Sequence, residues 1–273
     1  IYIFFVNIKS LINNVMAPHQ IPLKIFNKLF FLFNRINYKY EMFKSDQNSI
    51  FKYFSLDRDI GSDKLKIIKK VNPVFNRSMS SEHEVFFSSL SISNRKVNKI
   101  LEIGTFDGIN SYLLSLLFKN AHIETIDLSS DTDDFKNNYS RTHRLDDFIK
   151  SRNKILSKSD RITFVEINSI NLYNSNKKYD LIWIDGAHGY PVVCIDIINS
   201  LRLINDGGII MCDDIYVNKI VLDKMYNSTA AFETLNELAN ENIIEYKLIY
   251  KRLDSENNCD KKKRKFIGVF RKI

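Results

Sequence analysis

The stretch from Lys99 to Leu117 constrains this chain more than any other. The apolar run Lys99-Ile100-Leu101-Glu102-Ile103 enters the turn Gly104-Thr105-Phe106-Asp107-Gly108-Ile109-Asn110-Ser111, and Tyr112-Leu113-Leu114-Ser115-Leu116-Leu117 follows. Apolar continuity before the glycines and an apolar helical face after them predict a buried strand, a tight turn and a helix. In open α/β sheets, ligands bind at such strand-to-helix turns, outside the carboxyl ends of the strands. The acid Glu102 and the glycines Gly104 and Gly108 therefore mark a nucleotide-cofactor site, and the chain reads as an α/β enzyme.

The turn discriminates among cofactors. A dinucleotide fingerprint needs a glycine where this chain has Phe106, because backbone must press against a pyrophosphate. A phosphate-binding loop would end in Gly-Lys-Ser/Thr, whereas Ile109, Asn110 and Ser111 follow Gly108. The segment resembles motif I of the class I S-adenosylmethionine (SAM) methyltransferases, whose cofactor has no phosphate to cradle. That resemblance implies an α/β fold with a doubly wound, mostly parallel seven-stranded sheet of order 3-2-1-4-5-7-6 and helices on both faces. It also implies SAM contacts from Glu102, Gly104, Phe106, Gly108 and Asn110. Ala121 to Asp127 reads as a second strand, ending in an acid nineteen residues after Gly108, where a carboxylate accepts both ribose hydroxyls. Arg161 to Ser169 reads as a third strand, and the resemblance places Asn168 beside the adenine.

A second acidic group lies further along. Tyr179 to Ile184 reads as a fourth buried strand that delivers Asp185 and His188 into the turn at its carboxyl end, with Pro191 suiting the first turn of a helix over Val192 to Leu203. Asn205-Asp206-Gly207-Gly208 stops that helix, and Ile209 to Cys212 forms a fifth strand ending in Asp213-Asp214. Neighbouring strands would bring Asp185, Asp213 and Asp214 together, where three carboxylates repel unless a cation or proton intervenes. Oxygen ligands favour Mg²⁺, Mn²⁺ or Ca²⁺ over zinc. Over roughly Val97 to Tyr216 the chain resembles the metal-dependent O-methyltransferases of macrocin and cephalosporin type and, more distantly, of catechol type. The catechol pattern has a lysine three residues after the first metal aspartate and an asparagine closing the pair. This chain has His188 and Asp214, which points to a sugar or secondary metabolite as acceptor. The resemblance implies Asp185, Asp213 and Asp214 as metal ligands, Asp185 also at the cofactor, and His188 as general base. The plainer alternative makes Asp185 and Asp213 strand-end caps and His188 a hydrogen-bonded turn residue.

Composition bounds the rest. With 273 residues, 44% hydrophobic and 26% charged, the chain can bury one sizeable core. It divides into a basic amphipathic extension over 1–45, a helical lead-in over 46–97 and a SAM-binding domain over 98–273. The net charge of +8 is concentrated in runs such as Lys261 to Lys265, which read as solvated turns rather than a nucleic-acid stripe. Cys194, Cys212 and Cys259 are an odd number without metal spacing, so reduced thiols and a cytoplasmic setting are expected. No apolar run approaches a transmembrane length. The chain begins with Ile, which suggests a fragment or a frame read from upstream of Met16 or Met42.

Ile21 to Tyr40 interleaves apolar residues with Lys24, Lys28 and Arg35, and is expected to pack on its own domain or on a second copy rather than on a membrane surface. Ser81-Glu82-His83-Glu84 reads as a capped helix start that could close over the cofactor. The tail reads as two strands, Ile243 to Tyr250 and Phe266 to Phe270, joined by a solvent-facing basic loop. Three alternatives stay open: a metal-independent N- or O-methyltransferase using His188, a SAM-binding partner subunit without catalysis, and an NAD-dependent oxidoreductase.

Overall fold

The computed structural model describes residues 40–77, 81–138, 144–218, 228–254 and 264–273. The expected amphipathic segment Ile21 to Tyr40 thus lies outside the described residues, apart from its last position, as do Cys259 and most of the tail's basic loop. No helix among the described residues is long and apolar enough to cross a membrane.

Seven strands form one sheet in the order β3-β2-β1-β4-β5-β7-β6: β1 (Lys99–Ile103), β2 (His122–Asp127), β3 (Ile162–Glu166), β4 (Tyr179–Ile184), β5 (Ile204–Ile215), β6 (Ile244–Tyr250) and β7 (Phe266–Lys272). β1 to β5 pair in parallel, and β7 runs antiparallel to both β5 and β6. The order reverses beside β1, so its carboxyl end and that of β4 flank the crevice where such sheets bind ligands. This is the doubly wound sheet expected of the sequence. β5 begins five residues before the expected Ile209. Its start, Ile204, pairs with Tyr179, and the chain bulges through Gly207, in the left-handed region at φ 72°, before pairing resumes at Leu181–Ile209. The Asn-Asp-Gly-Gly signal is therefore a bulge at the strand's start rather than a break before it.

Two-residue alternation splits the core between the two faces of the sheet. Ile100, Leu181, Trp183, Ile209, Met211, Ile267 and Val269 belong to one cluster, and Leu101, Ile103, Ile182, Ile184, Ile210, Cys212 and Phe270 to the other. The second face is covered by α7 (Val192–Leu203), packed through Val193, Ile197 and Leu201, and by α8 (Ala230–Asn240). The first is covered by the lead-in helices α1 (Tyr40–Tyr53), α2 (Arg58–Val71) and α3 (Glu82–Ser91), and by α4 (Ile109–Leu117). The short α5 (Asp133–Asn138) and α6 (Leu145–Leu156) lie between β2 and β3 in sequence.

The lead-in helices are part of this core. α1 buries Phe43, Gln47 and Phe51 at helical spacing. The buried Gln47 amide accepts from Tyr250 N at 2.9 Å and donates to Tyr250 O at 3.2 Å, which docks the helix on edge strand β6. Arg58 on α2 makes a two-pronged pair with Glu82 on α3, both contacts 2.7 Å. Phe86 and Phe87 of α3 are fully buried against the sheet, so the helix expected to close over the cofactor is a packed core element. Ser81 occupies its N-cap position, but the hydroxyl pairs with His83 Nδ1 at 2.8 Å instead of with a backbone amide.

Candidate active site

The turn after β1 is shaped by backbone crowding. Gly104 has φ 101°, and a Cβ there would stand 2.3 Å from the carbonyl oxygen of Asp185, so only glycine lets β1 and β4 approach at their carboxyl ends. Gly108, at φ 76°, is the N-cap of α4, and a Cβ would meet Leu156 at 2.8 Å. Phe106, also in the left-handed region at φ 50°, keeps its ring largely exposed and packs it near Phe148.

Both acids expected in this half are tied to the turn by short-range hydrogen bonds. Glu102 is buried and accepts from Asn110 Nδ2 at 2.8 Å, from Thr125 Oγ1 at 2.7 Å and from Ser111 Oγ. Burial pushes its carboxyl up to about 7 despite these donors. Asp127 receives Phe106 N on Oδ2 at 3.0 Å and Leu128 N on Oδ1 at 2.8 Å, which fixes the carboxylate at the carboxyl end of β2 beside the turn. Asn110 Oδ1 is buried with no hydrogen-bond partner, an acceptor suited to a cofactor amino group. Asn168 lies past β3 and is exposed. Its Oδ1 accepts from Ile170 N at 3.0 Å, capping a short helix, Ser169–Asn174.

The second acidic group is assembled from distant parts of the chain. Asp185 N donates to Ile103 O at 2.8 Å, which holds the β4 turn against the Gly104 turn. His188 stands three residues on, with Nε2 3.8 Å from Asp185 Oδ1 and 4.0 Å from Asp214 Oδ2. Burial holds His188 below the usual histidine range although Asp213 and Asp214 pull it upward. Asp213 and Asp214 are buried at the end of β5, where Asp214 takes φ 50° at a bulge against β7.

Two lysines outside the expected site residues, one of them at the end of the run read as solvated, meet these aspartates. Lys251 Nζ is 2.5 Å from both Asp213 Oδ2 and Asp214 Oδ1, and Lys265 Nζ is 2.8 Å from Asp214 Oδ2. They follow β6 and precede β7 by one residue, so one end of the expected solvent-facing loop is turned inward. The signal was available: Lys251 continues the alternation after Ile249, and Lys265 precedes Ile267 and Val269, all three buried on one face. Burial opposes the Lys251 charge, but the three aspartates outweigh it and push its pKa up. Burial likewise opposes a charge on Asp213, but Lys251, His83 and His188 outweigh it and hold the carboxyl below the usual range. Asp185, by contrast, is pushed well above the carboxylate range by burial and by the charge of Asp213. His83 is a further residue beyond the expected set: it stacks on Trp183 with centroids 4.6 Å apart and interacts electrostatically with Asp213.

The three expected metal carboxylates are thus brought into one neighbourhood, but they do not fit a divalent cation as arranged. A lysine ammonium already bridges Asp213 and Asp214, and no group of three or more His, Cys, Asp or Glu among the described residues could hold a metal ion.

The comparisons with known proteins agree with the fold and the turn. Residues 101–215, which contain both acidic groups except for the lysines, match the family model of a methyltransferase domain. No curated protein sequence matches the chain. Among solved structures, cofactor-bound Rv0187 from MTB superposes with TM-score 0.52 at 16% identity, over 71% of this chain and 81% of that one. The O-methyltransferase TomG from Streptomyces achromogenes, involved in tomaymycin synthesis and solved with SAM, gives 0.51 at 16% identity, over 84% and 97%. An O-methyltransferase from Bacillus cereus in complex with SAH gives 0.51 at 15% identity, over 84% and 99%. Sheet order, glycine turn and family match together agree with a methyltransferase domain over residues 101–215.

Proposed function

We propose that the chain transfers a methyl group from SAM to a hydroxyl of a small acceptor, such as a sugar or secondary metabolite, with His188 as general base. The observation that carries this reading is the largely buried His188 beside Asp185, in the turn whose backbone is joined to the Gly104 turn. The cofactor half supplies Gly104, Phe106, Gly108 and Asn110 around the turn, Asp127 for the ribose hydroxyls and Asn168 toward the adenine. Glu102 acts from behind, by holding Asn110 and Ser111. Bound SAM supplies a methyl group on a positively charged sulfur, electrophilic toward oxygen.

With SAM bound, the cofactor would supply its methyl to the acceptor oxygen and keep the carbon–sulfur electrons on sulfur, while His188 takes the hydroxyl proton. Asp185 and Asp214 flank the imidazole, and the Asp214 carboxylate stabilises the imidazolium that results. Holding the oxygen in line accounts for much of the rate. The reading in which Asp185, Asp213 and Asp214 hold Mg²⁺ requires Lys251 to withdraw, so the lysine favours the metal-independent form. Cys194 and Cys212 are free thiols, in keeping with a cytoplasmic setting, and a second copy of the chain remains the proposed partner of its N-terminal helices. Transfer of labelled methyl from SAM to a panel of hydroxylated acceptors, with and without EDTA, tests the reading. SAM binding with no transfer to any acceptor would favour the non-catalytic alternative.

A further inference from the structure

We infer that Lys251 takes the place of a divalent cation in this site: its ammonium, seated between Asp213 and Asp214, is the built-in positive charge of the acceptor half. The inference rests on the methyltransferase reading for its meaning, but its evidence is the geometry of the cluster alone. Lys251 is held on both sides by backbone pairing. Its N donates to Lys265 O at 3.0 Å, closing the hairpin, and its carbonyl accepts Glu82 N at 2.9 Å, from the first residue of α3. The side chain is therefore aimed by two elements, one of which also carries His83.

Two of its three donors are used on Asp213 Oδ2 and Asp214 Oδ1, both at 2.5 Å, which is the distance range in which a calcium ion would sit from such oxygens. A cation bridging these carboxylates and this ammonium would contend for the same space with the same sign of charge. Lys265 adds a second positive charge at 2.8 Å from Asp214 Oδ2. Three carboxylates faced by two ammonium groups leave at most one negative charge, so the repulsion that would recruit a metal is already largely answered. Lys251 is a positioning residue here: it fixes Asp214, which in turn stands 4.0 Å from His188 Nε2.

The probe is Mn²⁺, followed by electron paramagnetic resonance on the full chain, with SAM binding measured by calorimetry on the same samples. The wild-type chain is expected to show no saturable Mn²⁺ site up to about 1 mM, and Lys251→Met to gain one at least about tenfold tighter, because the carboxylates lose their ammonium and oxygen ligands remain. One equivalent of Mn²⁺ bound by the wild type below about 100 µM, and lost in Asp213→Ala, would overturn the inference. So would a folded Lys251→Met chain with no gain in Mn²⁺ affinity. If Lys251→Met does not fold, the wild-type titration still decides, and Lys251→Arg, which keeps the charge, is expected to exclude Mn²⁺ as the wild type does. Absence of SAM binding by the wild type would count against the methyltransferase reading and leave the Mn²⁺ result standing.

Discussion

The two halves of the sheet's carboxyl edge are built in opposite ways. In the half over β1 and β2, each acid is fixed by groups close in sequence or on the adjoining strand: Glu102 by Asn110, Ser111 and Thr125, and Asp127 by the amides of Phe106 and Leu128. In the half over β4 and β5, Asp213 and Asp214 are fixed by Lys251 and Lys265, which arrive from a hairpin 37 to 51 residues away. Local polar bonds make a preformed turn. Long-range ion pairs make a pocket whose charge depends on the final fold.

The largest expected effect strikes the place where the two halves touch. Gly104→Val would put a Cβ 2.3 Å from the Asp185 carbonyl, against backbone rather than a yielding side chain, and would force φ 101° on a branched residue. A loss of more than about 4 kcal/mol in urea unfolding is expected, with SAM binding abolished in any protein that folds. A Gly104→Val chain with near-wild-type stability would mean that β1 and β4 are not in backbone contact. Next comes His188→Ala, which touches only the acceptor half: turnover should fall by roughly 10²–10⁴-fold while SAM affinity is kept. Unchanged turnover would place the base elsewhere, and lost SAM affinity would dissolve the division between the halves.

How much of this was legible in the sequence follows from the same division. The turn, the ends of β2 and β4, and α7 at Val192–Leu203 were all readable, because strand-turn-helix signals act within about twenty residues. The inward turn of Lys251 and Lys265 showed only in their alternation with Ile249, Ile267 and Val269, and a charged run beside a loop looks solvated until the strand partner is known. His83 was read as part of a helix cap because nothing local shows that α3 packs its start onto Trp183. The early start of β5 was masked by a glycine pair whose bulge role depends on pairing with Tyr179.

A third prediction separates burial from charge in the cofactor half. Glu102 is held up to about 7 by burial, above its unfolded value of 4.5, so the folded state binds its proton more tightly. That contribution to stability is fully present below the unfolded value and is lost as pH rises through about 7. Glu102→Gln keeps the shape and removes the titration, so its stability relative to the wild type should grow by up to about 3 kcal/mol between pH 4.5 and 7.5. Asp185 and Asp196, also raised by burial, are common to both proteins and cancel in the difference. Parallel stability curves for the two proteins across this range would show that Glu102 ionises freely and is not the sealed anchor of the turn.

The smallest effect tests the ribose assignment. Asp127 has one oxygen on each of two backbone amides, and every carboxylate oxygen has a second lone pair, so the same group can brace the turn and still accept sugar hydroxyls. Asp127→Ala removes both functions, and SAM affinity should fall at least about tenfold, less than two charge-assisted hydrogen bonds would give if each were wholly net. Asp127→Asn distinguishes them: its Oδ1 can still receive one amide, but the charge is gone and one acceptor becomes a donor facing either the Phe106 or the Leu128 N–H. If Asp127→Asn binds SAM as weakly as Asp127→Ala while both keep wild-type melting temperatures, the carboxylate acts on the cofactor directly. If both bind SAM like the wild type in calorimetry, the acid serves the turn alone, and the ribose must be held by another group.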